Sequence, residues 1–368
     1  MAEQVDEHAA GLEGFELASE EPEEVRRVLA ERGLGDGLPI VVPTRERVER
    51  FLARSGADPD AVVGILPPRL GRATERVVAI NALMAGCPPE LFPVVRTAVE
   101  AACRPEANLA GVQATTGPVA PLLIVHGGAI ERLGFNAGQG TFGPGWVANA
   151  TVGRALRLIL MHVGGARAGR TSMTTQGQPG QYGLCIAENL PATPWESYPA
   201  SLGLAAESAL TLFFCESLHN AQDHTSTEPR GVLRTIASMA AAPGSNATWA
   251  CEAECFVVMC PEHAALVASR GWTRRDVQLY LYEHARLSRS QLGFGGCAGM
   301  DSWRPWMHAD DDPEQRLPVV DHPDDFRIVV AGGAGKHSAV VTSWGPTRSV
   351  TLPIGDRGSA AGRAKERS

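Results

Sequence analysis

Hydrophobic positions recur with a helical period through the first hundred residues, and strand-like apolar runs dominate after them. "EPEEVRRVLAERG", residues 21–33, predicts a helix with Pro22 in its first turn and Gly33 past its end. After the extended piece "GDGLPIVVPT", Thr44 is placed to cap a second helix, "RERVERFLARSG". Two more helices follow, from Thr74 to Gly86 and in "PPELFPVVRTAVEAAC". "GVQATT" and "PLLIVHGG" predict strands, the second apolar enough to be central in a sheet. The short helix "AIERLG" leads into a glycine-rich loop, "FNAGQGTFGPGW". From that loop a helix is expected, "NATVGRALRLILMHVGG", capped by Asn149 and closed by Gly164.

The second half alternates in the same way. "YGLCIAEN" and "ALTLFFCES" predict strands, "GVLRTIASMAAA" a helix, "ECFVVMC" a strand and "PEHAALVASRG" a helix. Thr273 and Asp276 form a capping-box pattern for the next helix, and "FRIVVAGG" and "SAVVTSWG" predict the last strands. The expected fold is an α/β or α+β layered arrangement, a mixed sheet with helices. "VVAINALMAGCPPE" with "PLLIVHGGAIERLGF" resembles "LRTIASMAAAPGSN" with "CFVVMCPEHAALVASRGW". Either a duplicated α/β unit or ordinary α/β texture accounts for this. The expected division is an acidic segment with one helix at 1–33, a first α/β unit at 34–170, a second at 171–354, and a tail at 355–368 that is disordered by composition.

Composition narrows the function. Net charge is −8 with no run of basic residues, which argues against nucleic acid or an anionic membrane as partner. Residues 1–24 hold nine acids and no Lys or Arg, unlike a targeting leader, and no apolar run nears the ~20 residues of a membrane span. Eight cysteines in apolar or helical contexts suit reduced thiols, so a cytoplasmic location is expected. A homodimer is the default assembly.

Four constellations could carry chemistry. In the glycine-rich loop and the helix after it, Asn136, Gly138, Gly143, Asn149, Thr151 and Arg154 are candidates for holding a phosphate or carboxylate, against a purely structural loop. "AGGAGKHS" lacks the Walker pattern, yet Lys336, His337 and Ser338 end an apolar strand and could contact a substrate anion; a hairpin turn is the alternative. "CESLHNAQDHTS" sets His219, Asp223 and His224 at a strand end or loop. There they could be an acid–base group, two ligands of a divalent metal (with Cys185, Glu188 or Cys215 as further donors), or structural. Cys185, with Glu188 three residues on, is the first candidate nucleophile and Cys297 the second, while Cys251, Cys255 and Cys260 are expected in the core. Cys185 and Glu188 should face opposite ways on a regular strand, so they share a site only if the strand breaks between them.

The stretches "DGLPIVVPT", "INALMAGCPPE", "NLAGVQATTGPVAPLLIV", "GFNAGQGTFGPGWVANATVGRALRL", "TQGQPGQYGLCIAEN", "TPWESY" and "HNAQDH" resemble the large companion domain of UGSC-family (seleno)proteins, over about residues 34–345. The family takes its name from a selenocysteine-Gly-Ser-Cys motif, and Cys-Gly-Ser-Cys is absent here. The resemblance implies a site that includes Cys185, Glu188, Asn189, His219, Asp223 and His224, without the redox motif. The leading expectation is a thiol- or sulfur-handling lyase or transferase of specialised metabolism, with Cys185 as nucleophile and Glu188, His219, Asp223 and His224 as acid–base groups. Its substrate would be small, anionic or sulfur-containing. The alternatives are a metal-dependent lyase or hydrolase using His219 and His224, and a non-catalytic accessory to a redox partner protein. No nucleotide motif is present.

Overall fold

The computed structural model describes residues 21–56, 58–245, 252–292 and 312–355. Helices α1 (Pro22–Glu31) and α2 (Arg45–Ser55) come first, α2 capped by Thr44 as its sequence predicts. A hairpin of β1 (Val62–Leu66) and β2 (Gly71–Thr74) follows, which the periodicity does not announce. Helices α3 (Glu75–Ala85), α4 (Phe92–Ala102) and α5 (Leu109–Ala114) lead to β3 (Ala120–Gly127) and α6 (Ala129–Arg132). "GVQATT", expected as a strand, is the end of α5 and the turn after it. Helix α7 (Val147–His162) begins two residues before Asn149, with Trp146 at its N-cap, so Asn149 is inside the first turn rather than capping it.

Next come β4 (Leu184–Ala187), α8 (Tyr198–Ser201), the long β5 (Ser208–Gln222) and α9 (Pro229–Ala240). Strand β5 runs through "HNAQ", so His219 lies within a strand and not in a loop. The chain continues with β6 (Cys255–Met259), α10 (Pro261–Ser269) and α11 (Arg274–His284), the last with the expected Thr273–Asp276 capping box. A small ladder of β7 (Arg286–Ser288) and β8 (Arg316–Pro318), with α12 (Arg289–Leu292) beside it, precedes β9 (Phe326–Val330), β10 (His337–Ser343) and β11 (Val350–Pro353). Cys251, Cys297 and nearly all of the C-terminal tail lie outside the described residues.

Seven strands form one mixed, curled sheet in the order β4-β3-β5-β10-β6-β9, with β11 pairing the first half of β5. The fold is therefore the expected α/β layered kind. The order is palindromic. Strand β3 is parallel to β4 and antiparallel to β5; β6 is parallel to β9 and antiparallel to β10; and β5 pairs antiparallel with β10. The two stretches that resemble each other in sequence, around β3 and around β6, hold corresponding places in this order.

Strand alternation sorts the core into two faces. Leu123, Val125, Cys185, Leu212 and Phe214 pack under α2, α3, α4 and α7, while Val257, Met259, Ile328 and Val340 pack under α9, α10 and α11. A bulge in β5, where Ser343 pairs Cys215 and Thr342 pairs Ser217, keeps both sets on one helix-covered face. The opposite, inner face carries Ile124, Ile186, Phe213, Phe256 and Val341, and Tyr198 from α8 closes over it. Phe213 and Phe256 meet there at a centroid distance of 4.7 Å.

Candidate functional site

The two glycine loops that stood out in the sequence meet across one cleft. Residues 139–143 form one wall and 331–335 the other, with Leu218 and Asn220 of β5, Val258 of β6 and His337 and Ala339 of β10 between them; the cleft measures about 500 Å³. It opens on the inner face of the sheet, at the carboxyl ends of the parallel pair β6 and β9. Crevices at such strand ends are where open α/β sheets commonly bind ligands.

The first loop is built on a pair of buried asparagines. Asn149 accepts from the Asn136 backbone N–H at 2.8 Å, and its amide donates to the carbonyls of Asn136 and Cys185, each at 3.1 Å. Asn136 in turn donates to Gln139 O and accepts from Gly138 N–H, both at 2.9 Å, while Thr141 donates its hydroxyl to Asn136 O. Asn136, Gly138 and Asn149 thus shape the wall through internal bonds. The second loop is docked on it by Gly332 N–H donating to Ala137 O at 2.8 Å. A side chain at Gly333 would start 2.9 Å from Gln139 Cα, so only glycine permits this approach.

Lys336 sits at φ +46°, and its backbone N–H donates to Glu262 at 2.7 Å; the Gly335 N–H donates to the same carboxylate oxygen. Those two backbone bonds hold the Glu262 carboxyl below its ordinary range. The concave stretch of N–H groups that could have received a substrate anion therefore holds a carboxylate of the chain itself. The Lys336 ammonium donates to His224 O at 3.1 Å.

His337 is the polar centre of the cleft. Its Nδ1 is 2.9 Å from Asn220 Oδ1, and its Nε2 is 3.3 Å from Nε2 of His224, the rings meeting edge to face. Since the amide oxygen only accepts, Nδ1 carries a proton, and the two facing Nε2 atoms share another. His219 is on the opposite face, its Nε2 2.8 Å from Ser217 Oγ. The pair His219 and His224, the metal alternative, is thus split across the sheet; among the described residues no group of three or more His, Cys, Asp or Glu could hold a metal. The Asp223 carboxylate is engaged by Ser226 N–H at 2.8 Å, Ser226 Oγ at 2.7 Å and Thr235 Oγ1 at 3.2 Å, ordering the turn into α9.

Cys185 and Glu188 do not reach this cleft. Cys185 faces the helices, buried beside Cys87, and burial pushes its thiol far up from its ordinary value. Glu188, past the end of β4, faces the inner side. One oxygen lies 2.7 Å from His126 Nδ1, and the other accepts from Tyr198 N–H at 2.9 Å. His126 Nε2 is 2.8 Å from Thr211 Oγ1, which is 2.9 Å from Thr351 Oγ1. This Thr–His–Glu series has the order of a catalytic triad, but none of the three lines the cleft, and both His126 nitrogens and both Glu188 oxygens are taken up within the network. It is a satisfied polar network within the core. Arg154 is also committed, forming a bidentate pair with Asp36 at 2.7 and 2.8 Å, and Thr151 donates its hydroxyl back to Val147 O.

Beside the cleft is a cluster around Cys260, a residue that the sequence reading left in the core. Ser338 Oγ accepts from Cys260 N–H at 3.1 Å and lies 2.8 Å from His263 Nδ1; His263 Nε2 donates to Asp223 O at 3.1 Å. Burial opposes ionisation of Cys260, yet hydrogen bonding from His263 and Ser338 outweighs it and holds the thiol below its ordinary value. Conversely, His263 is raised despite burial, through Cys260 and Asp223. By contrast, burial pushes Cys87, Cys215 and Cys255 up to about 12. The signal available in the sequence was Cys-Pro-Glu-His at a strand-to-helix junction, which places Cys260 at the N-cap of α10 and His263 in its first turn.

No family model matches the chain, and no curated protein matches it.

Proposed function

We propose that this chain is an enzyme acting on a small molecule bound in the cleft, with His337 and His224 as its acid–base pair. The observation that carries this reading is the imidazole pair itself. Asn220 fixes the orientation and tautomer of His337, and His224 Nε2 faces it across 3.3 Å. Two imidazoles in this relation pass a proton to and from a bound substrate, the step a lyase or transferase needs at carbon or at a leaving group. The glycine loops bring backbone close to a ligand, and Leu218 and Val258 supply apolar contact.

The test begins with ligand discovery. Small carboxylates and carbonyl compounds are screened for a rise in Tm, and hits are repeated on Leu218→Trp, which places an indole in the cleft mouth. Binding should disappear in that variant while its Tm without ligand stays near wild type. Turnover of the compound so found should fall by ~10²–10⁴ in His337→Gln. A ligand bound equally well by Leu218→Trp would overturn the reading.

A further inference from the structure

The palindromic strand order gives each half of the sheet a crevice at the carboxyl ends of its parallel pair. The parallel ladders end at Val125–Ala187 and at Met259–Val330, and the antiparallel partners are Ile124–Thr211 and Val258–Ala339. Aligning the halves on these pairs sets Cys260 at the position of His126, Ala331 at that of Glu188 and Ala339 at that of Thr211. In the first half, those three side chains fill the crevice with a closed network. In the second, two of the three are reduced to a methyl group, and the cleft opens there. The third position is a thiol, and a histidine lies within the same hydrogen-bonded cluster.

We propose that Cys260 is the nucleophile of this cleft and His263 its base, an inference that rests on the enzyme reading above. Cys260 and His263 are themselves only 3% and 2% exposed and do not line the cleft, but Ala331 and Ser338, which flank Cys260, both do, so the sulfur is approached from that lining. His263 Nε2 donates to Asp223 O, so Nδ1, on the side of Ser338 Oγ and Cys260, is the basic nitrogen. The sulfur also stands at the N-terminus of α10, where the helix dipole favours a thiolate. The substrate class is a small acyl donor. The thiol gives its proton to His263 as sulfur attacks the carbonyl carbon; the S–C bond forms and the π pair moves to oxygen. Collapse of the tetrahedral adduct expels the leaving group, which takes the proton from His263. A thioester remains, to be cleaved by water or by an acceptor nucleophile.

The probe is p-nitrophenyl acetate, added to the full chain and followed by nitrophenolate release and by peptide mapping. One acetyl group should appear on Cys260, at least about tenfold faster than on the half-buried Cys103, whose thiol burial pushes up. His263→Gln should slow labelling about tenfold or more, and Leu218→Trp should suppress it. As a check needing no variant, alkylation of wild-type Cys260 by iodoacetamide should reach its plateau rate at a lower pH than alkylation of Cys103. Acetylation confined to other cysteines, a rate indifferent to His263→Gln, or alkylation of Cys260 that plateaus no lower in pH than that of Cys103 would each overturn Cys260 as nucleophile. Equal labelling in Leu218→Trp would do the same, because the thiol would then react outside the cleft. Those results leave the cleft reading intact, since that reading fails only if ligand binding itself ignores Leu218→Trp.

Discussion

His162 illustrates how a single side chain can set the acid limit of a fold. Its Nδ1 is 2.6 Å from Asn81 Oδ1, and its Nε2 accepts from Gly35 N–H at 2.8 Å. Burial, with Arg167 nearby, pushes the imidazole down to about 4. The unfolded chain, with an ordinary histidine near ~6.5, binds a proton between those values that the native chain does not. Stability should therefore fall as pH drops from about 6.5 to 4, by about 3 kcal/mol from this group, and be complete above that window. Urea unfolding at pH 7 and pH 4.5 of wild type and His162→Gln should show a smaller pH dependence in the variant. A second residue-scale case is Glu254, fully buried, which pairs with Arg327 at 2.7 Å and Arg348 at 3.2 Å and accepts from Ser349 N–H. Glu254→Gln takes the paired carboxylate from Arg327, while Arg348 keeps Asp325 at 2.6 Å, and should cost about 3–5 kcal/mol in chemical denaturation.

The histidines and cysteines also show what a sequence exposes. Cys185 and Cys260 both end or interrupt apolar strands, and nothing in composition separates them. Register does. Cys185 pairs Leu123 under α7, whereas Cys260 lies one residue beyond the β6–β9 ladder, where side chains meet loops. His126 sat inside an apolar run and gave no signal, because its partners Glu188 and Thr211 are 62 and 85 residues away.

At the scale of elements, most helices and sheet strands were legible because each buries one face, and that burial writes its period into the sequence. The hairpin β1–β2 was not, since Gly64 and the Pro67–Pro68 turn break its alternation and several of its side chains remain exposed. Strand β5 was read too short because its second half has polar and apolar residues on both faces. The packing of α7 against β4 depends on a contact that periodicity cannot show. A side chain at Gly153 would start 2.7 Å from Leu184 N, so the helix lies directly on strand backbone. Gly153→Ala should destabilise by about 1–3 kcal/mol in thermal or urea unfolding, despite alanine's better helix propensity. The same change at Gly134, where φ is +71° but space is open, should cost only backbone strain.

Among the described residues one seven-stranded sheet carries most of the helices over one face and a curled, largely self-filled face opposite, and the cleft lies where that filling stops. Among the described residues no helix is long and apolar enough to cross a membrane. The layered fold followed from alternating helix and strand patterns. The meeting of two loops nearly 200 residues apart did not, because it requires knowing that β5 and β10 are neighbours. If small side chains are what open the cleft, restoring the first half's set in the second should close it. The triple variant Cys260→His, Ala331→Glu, Ala339→Thr should remain folded and lose ligand binding, as read by thermal shift with the compounds that stabilise wild type.

The two crevices, at corresponding places in the strand order, divide between packing and access. In one, polar side chains have turned inward and become ballast, fixing strand ends and giving up access. In the other, the corresponding positions carry small side chains, so that this end of the molecule has less packing and an open cleft. What fits the cleft is then set by a few small residues at the open end. The closed end keeps the sheet's geometry constant.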